Sequence, residues 1–137
     1  MLGSFGLGNS TVMTGFLEHQ AKLEALVDSD VVVLPSRSEA SPIGIAEALL
    51  YNRPVVVSSA CEPPMPEPGA HGILQFRTLD VADLSHKLVF ALTNDLSDNA
   101  AAGRQFILRE YSPQAVAGKA EAIYQEAVFP ASKLPQV

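Results

Sequence analysis

Two short runs of β-branched residues constrain the fold of this 137-residue chain more than any other feature. They are residues 30–35 (DVVVLP) and residues 54–59 (PVVVSS). Each run is continuously apolar rather than alternating, which is typical of a strand buried on both faces of a parallel sheet. Residues 42–51, between the runs, have a helical pattern, and parallel strands need such a crossover. The sequence therefore predicts a right-handed β-α-β unit.

Further strands and helices are predicted on both sides of this unit. Upstream, residues 11–16 (TVMTGF) indicate a shorter strand, and the helix after it carries an apolar stripe of Leu23, Leu26 and Val27. Downstream, residues 72–76 (GILQF) indicate a fourth strand. The alternation of strands and helices predicts an α/β fold, a three-layer α/β/α Rossmann-like domain with about four parallel strands and C-terminal helices.

The second half of the chain is helical by pattern. Asp80 is predicted to cap a helix that has Asp83 in its first turn. Ser97 is predicted to cap a second helix, and Ser112 a third that has Pro113 at its first position. The apolar positions expected to face a core from the first of these helices are Val81, Leu84, Leu88 and Leu92.

Length and composition favour one soluble domain over residues 1–129, followed by a flexible tail over residues 130–137. Hydrophobic residues make up 47% of the chain, charged residues 18%, and the net charge is -6, which argues against a nucleic-acid binder. The only cysteine, Cys61, cannot form an internal disulfide and fits a reducing compartment. Without a basic signal-like start or an apolar run of about 20 residues, we expect a cytoplasmic protein that lacks a transmembrane segment.

The loop at residues 35–44 (PSRSEASPIG) is the candidate binding site, because ligands of parallel α/β sheets bind beyond the carboxyl ends of the strands. Hydroxyls of Ser38 and Ser41, together with backbone amides near Ile43 and Gly44, could donate hydrogen bonds to a phosphate. The alternative is that Ser41 only caps the helix beside Pro42.

Glu47 is the unexpected residue of the predicted helix, since residues 40–50 contain no other charge. A carboxylate among apolar residues costs free energy unless it is paired or accepts hydrogen bonds. Glu47 is therefore either a satisfied structural group or a ligand contact. It could accept two sugar hydroxyls while phosphates lie on the amides above, and Glu39 in the loop would reach the other side of the same ligand.

The spacing of Glu39 and Glu47, E-x7-E, lies within "SDVVVLPSRSEASPIGIAEALLYNRPVVVSS". This setting, with "YSPQAVAGKAEAIYQ" further on, resembles the donor-binding half of the family 4 retaining glycosyltransferases, which have two Rossmann-like domains. The resemblance extends over about residues 12–124. It implies that Glu39 binds the transferred sugar, that Glu47 binds the ribose of a nucleotide diphosphate sugar, and that the backbone contacts to the diphosphate and sugar come from Ser41, Pro42, Ile43 and Gly44.

Family members also have an N-terminal acceptor domain, and two further strands that carry an Arg and a Lys to neutralise the diphosphate. Neither feature has a counterpart here, and Lys22 and Arg37 are the nearest cations. Two hypotheses follow. In the first, the chain is a donor-binding part that is inactive in isolation, because it needs a separate acceptor-domain partner or is a piece of a longer enzyme. In the second, it is a stand-alone oligomeric module with weak or no nucleotide binding. No residue is assigned as catalytic.

Neither a cofactor nor a metal is expected, since the histidines have no paired metal-ligand spacing. His19 and His86 lie on predicted helices as surface groups, and His71 is assigned to loop structure, with ligand contact as the alternative. In the family fold, the missing strands would lie in the middle of the sheet. Their absence either brings residues 11–16 beside residues 30–35 or leaves an apolar edge, and such edges favour a homodimer.

Overall fold

The computed structural model describes residues 5–40, 43–63 and 65–128. Within these residues one parallel sheet contains three strands in the order β1 (Val32–Leu34), β2 (Val55–Ser58) and β3 (Ile73–Phe76). The helices are α1 (His19–Asp28), α2 (Ile43–Leu50), α3 (Val81–Thr93), α4 (Ser97–Tyr111) and α5 (Pro113–Val128). The predicted α/β Rossmann-like class is confirmed, with three strands where about four were expected.

The central strand, β2, explains the continuous run of valines. All four of its residues are buried, because helices cover both faces of the sheet. Val55 and Val57 belong to a core cluster with Ile45 and Leu49 of α2. Val56 points the other way, into a cluster with Ala91 of α3. The three-layer arrangement follows from this alternation.

Residues 11–16 do not form the predicted strand. The side chains of Val12, Met13 and Phe16 are 81–88% exposed, and Gly15 has a φ of 66°, outside the extended region. A strand is stable only when it pairs with others, and the described part of the sheet ends at β1, which pairs only with β2. Of the two arrangements expected for this side, the uncovered edge is the one observed.

Capping of the C-terminal helices agrees with two of the three predictions. Asp80 accepts a hydrogen bond from the Asp83 N–H at 2.9 Å, and Ser112 accepts one from the Ala115 N–H at 3.2 Å. The cap prediction for Ser97 is wrong, because Ser97 is already the first residue of α4. Its own N–H donates to the carboxylate of Asp95 at 2.9 Å, so the polar partner at this helix start lies two residues earlier.

The predicted inner face of α3 is only partly correct. Leu84 and Leu88 are half-buried and pack against the sheet, whereas Val81 and Leu92 remain 78% and 62% exposed. In the stripe of α1, Leu26 packs against the core, and Leu23 and Val27 are exposed.

The helix that carries Glu47 is held mainly by α4. Ile45, Ala48 and Leu49 of α2 are fully buried, and Gly103 of α4 lies directly against Leu49. The absence of a side chain at Gly103 lets the two helices approach closely. Along the described residues, no helix is both long and apolar enough to cross a bilayer.

Candidate functional site

The carboxyl ends of β1 and β2 are tied together by hydrogen bonds. The buried hydroxyl of Ser58, the last residue of β2, donates to the backbone oxygen of Ser36 in the loop after β1. The neighbouring Ser59 hydroxyl lies 3.0 Å from the hydroxyl of Thr78, beyond the end of β3. These bonds hold the three strand ends as one polar rim.

Glu39 is held at this rim through its backbone. Its N–H donates to the Ala60 carbonyl oxygen at 3.3 Å, and its own carbonyl accepts from the Glu62 N–H at 3.4 Å. The two bonds form an isolated parallel bridge between Glu39 and Cys61. The half-buried Glu39 side chain therefore starts from a defined position just beyond the sheet.

The start of α2 lies next to this rim. Two of the predicted contact residues, Ser41 and Pro42, fall outside the described residues. Ile43 is 70% exposed. A methyl group on Gly44 would lie 3.4 Å from Leu34 Cδ2, so this residue turns its side-chain position toward β1. First-turn N–H groups of a helix lack partners within the helix, so backbone amides are the candidate ligand contacts here.

Glu47 has a partner in the structure. The ammonium nitrogen of Lys22, on α1, lies 2.6 Å from Glu47 Oε1. The two side chains are 45% and 33% exposed, so the pair is partly open to solvent. Sequence reasoning identified both residues but not their contact, because 25 positions separate them. The Glu47 carboxylate thus has a charged partner within the protein and does not require a ligand to be paired.

Arg37, the second cation near the site, lies on the other side of the strand ends. It lines a cleft of about 210 Å³ between the rim and α3. Its lining also includes Ser58 and Thr78 of the rim, together with Leu79, Asp80 and Leu84. The two candidate cations therefore lie on different sides of the strand ends, Lys22 beside α2 and Arg37 beside α3.

Two carboxyl groups with a lowered pKa lie at the starts of α3 and α4. Backbone hydrogen bonding from Arg77 lowers the pKa of Asp83, and the hydroxyl of Ser97 lowers the pKa of Asp95. Both are groups at helix starts. Among the described residues, no set of three or more His, Cys, Asp or Glu side chains could hold a metal ion.

His71 has structural contacts. Its Nδ1 lies 3.1 Å from the Glu67 carbonyl oxygen, and its ring meets the Phe106 ring edge-on with centroids 5.2 Å apart. It ends a short 3-10 helix, Pro68–His71, that leads into β3. These contacts support the assignment of His71 to loop structure.

Comparison with known proteins identifies the family. Residues 2–94 match the family described as glycosyl transferases group 1. The chain is 30% identical over 131 residues to the alpha-D-kanosaminyltransferase of Streptomyces kanamyceticus, covering 92% of this chain and 33% of the relative. The fold is similar to that of sucrose-phosphate synthase from Thermosynechococcus elongatus, with a TM-score of 0.75, 19% identity, and coverage of 93% of this chain and 32% of that one. The chain thus spans about a third of the length of these relatives. On the strength of the family match, it belongs to the group 1 glycosyl transferases.

Proposed function

We propose that this chain binds a nucleotide-sugar donor as the donor-binding part of a retaining glycosyltransferase. The observation that carries the proposal is the placement of two carboxylates around the start of α2. Glu39 is bridged to the loop after β2, just beyond the sheet, and Glu47 lies one turn into α2. Membership of the group 1 glycosyl transferases supports this use of the site.

Each group has a chemical role in this proposal. The ribose hydroxyls donate to the carboxylate of Glu47, and hydroxyls of the transferred sugar donate to Glu39. The phosphates accept hydrogen bonds from the backbone N–H groups of Ser41, Ile43 and Gly44, because a helix start offers N–H groups and a favourable dipole. Pro42, which has no N–H, contacts the ligand without donating a hydrogen bond. The ligand would thus lie along the rim from α2 toward the loop after β2.

Transfer itself is proposed to require a second component. The chain covers 33% of the kanosaminyltransferase it resembles, and sugar transfer needs an acceptor held against the donor. We therefore propose donor binding by this chain and transfer only with an acceptor domain, in the cytoplasm, where Cys61 stays reduced. The second candidate is a stand-alone module with weak or no nucleotide binding, which the ion pair between Lys22 and Glu47 favours because it already satisfies the carboxylate.

Titration with UDP, GDP and their sugars, followed by calorimetry and by amide NMR shifts near Glu39 and Gly44, tests the proposal. Glu47→Ala should weaken nucleotide binding by about tenfold, the value of one charge-assisted hydrogen bond at a partly exposed site. Glu121→Ala, which removes an exposed carboxylate on α5, is the matched control and should bind like the wild type. Absence of binding at millimolar ligand would instead support the stand-alone module.

We also propose that the chain forms a homodimer. Large apolar side chains are exposed at both ends of the described chain, among them Phe16 at 88% and Tyr124 at 71%. Burying such side chains is favourable, and a second copy would offer the same surfaces. Light scattering at micromolar concentration should give twice the mass of the chain, and a monomer would contradict the proposal.

A further inference from the structure

The ion pair between Lys22 and Glu47 joins the most weakly packed helix to the candidate site. None of the ten residues of α1 is buried, although the half-buried Leu26 packs against the core. Lys22 reaches from α1 to Glu47 Oε1 on α2. Among the described ion pairs, this pair alone involves either of the two carboxylates assigned to the donor.

The position of Lys22 brings a positive charge close to the start of α2. Glu47 and Ile43 are four residues apart on α2, so their backbones are about 6 Å apart along the helix axis. The lysine stem has four methylene groups and the side chain is 45% exposed, so the ammonium can turn within that distance. Arg37 lies on the α3 side, where it lines the separate cleft.

We propose that Lys22 is the cation that neutralises the donor diphosphate in this chain, and that it changes partner when the nucleotide binds. In the free protein it pairs with Glu47. When the ribose hydroxyls donate to Glu47, the ammonium turns to a phosphate oxygen at the start of α2. This inference rests on the proposed function, and it adds the charge partner which the two carboxylates and the backbone amides do not supply.

The exchange is electrostatically reasonable. Glu47 loses an ammonium but gains two hydroxyl donors, so its oxygens stay hydrogen-bonded. Lys22 leaves a single negative charge for a diphosphate, which carries more charge and attracts a cation more strongly. Among the described residues around the start of α2, only the amide dipoles would offset repulsion between the diphosphate and the carboxylates of Glu39 and Glu47 if Lys22 were absent.

The test compares nucleosides with nucleotides, because the exchange predicts opposite effects of one substitution. Lys22→Met keeps the apolar stem and removes the charge. UDP or GDP should bind about fivefold more weakly to it, because a phosphate contact is lost. Uridine or guanosine should bind about twofold more tightly, because Glu47 no longer has to leave an exposed ion pair.

Lys87→Met is the control, since it makes the same change in net charge from α3, on the opposite face of the sheet. It should shift the dissociation constants for nucleotide and nucleoside by less than about twofold, the scale expected of screened surface charges. Amide NMR spectra of both variants establish that the fold is retained before titration.

The outcomes separate this inference from the proposed function. If the wild type binds nucleotide and Glu47→Ala weakens it, while Lys22→Met binds like Lys87→Met, the donor site stands and the role of Lys22 is refuted. Equal weakening of nucleoside and nucleotide in Lys22→Met also refutes the exchange. If neither ligand binds the wild type at millimolar concentration, both proposals fail.

Discussion

Replacing Gly103 with alanine should loosen the contact that holds the site helix α2. A methyl group at Gly103 would collide with the backbone carbonyl oxygen of His71 and would lie 2.9 Å from Leu49 Cδ2. The Leu49 side chain can rotate away from the new methyl group. The His71 carbonyl belongs to the backbone at the end of the 3-10 helix, so the collision with it is relieved only if α4 moves.

Two energetic terms oppose each other in this variant. Alanine is favoured over glycine inside a helix by about 1 kcal/mol. Overpacking a tight contact costs about 1–3 kcal/mol, and the cost should be near the upper end when the obstacle is backbone. We therefore expect Gly103→Ala to lower the free energy of unfolding by about 1–2 kcal/mol.

Gly118→Ala on α5 supplies the matched comparison. No atom lies within 4 Å of a methyl group built there, so only helix propensity acts and the free energy of unfolding should rise by up to about 1 kcal/mol. The two variants should differ by about 1–3 kcal/mol, or about 3–12 °C in Tm for a chain of this size. Urea and thermal unfolding followed by far-UV circular dichroism measure both. The reasoning is refuted if Gly103→Ala is as stable as Gly118→Ala.

Two further predictions concern charged side chains of the C-terminal helices. Asp80→Ala removes the acceptor for the Asp83 N–H and should lower the free energy of unfolding by about 1 kcal/mol, whereas Asp80→Ser, which can still cap, should recover most of it; equal loss in both urea titrations would count against a capping role. Hydrogen bonds from Arg109, then from Lys119, lower the pKa of Glu110 from its ordinary 4.5 to about 2. Because the folded-state pKa is depressed, the stabilisation is present above pH 4.5 and is lost as the pH falls through about 2. Carboxyl carbon NMR should show that midpoint in the wild type and a higher one in Lys119→Met, and an unchanged midpoint in the variant would exclude the lysine as a cause.

Local patterns predicted the central part of the fold. β2 (Val55–Ser58) begins with three successive valines and is buried at every position, and a strand covered on both faces favours that composition. Caps at Asp80 and Ser112 were also predictable, because the acceptor and the amide it satisfies are three residues apart. Where the two interacting groups are close in the chain, the sequence alone is sufficient to predict their contact.

The same reasoning failed at residues 11–16. Apart from Gly15, their composition favours a strand, as does that of Val32–Leu34, which does form one. The difference is the partner, since β1 pairs with β2 and residues 11–16 have no described strand beside them. Strand formation depends on hydrogen bonds to another segment, so a run of residues alone does not decide it.

For the candidate site, the sequence by itself determined which residues are unusual. It marked Glu39 and Glu47 by their spacing and by the charge of Glu47 among apolar neighbours, because burying an unpaired carboxylate is costly. Only the tertiary structure decided their surroundings. In the structure, the backbone of Glu39 forms a bridge with the loop after β2, and Lys22 forms an ion pair with Glu47. Arg37 lines the cleft on the α3 side of the strand ends. These contacts join segments distant in sequence, and their geometry is set by how α1 and α2 pack on the sheet.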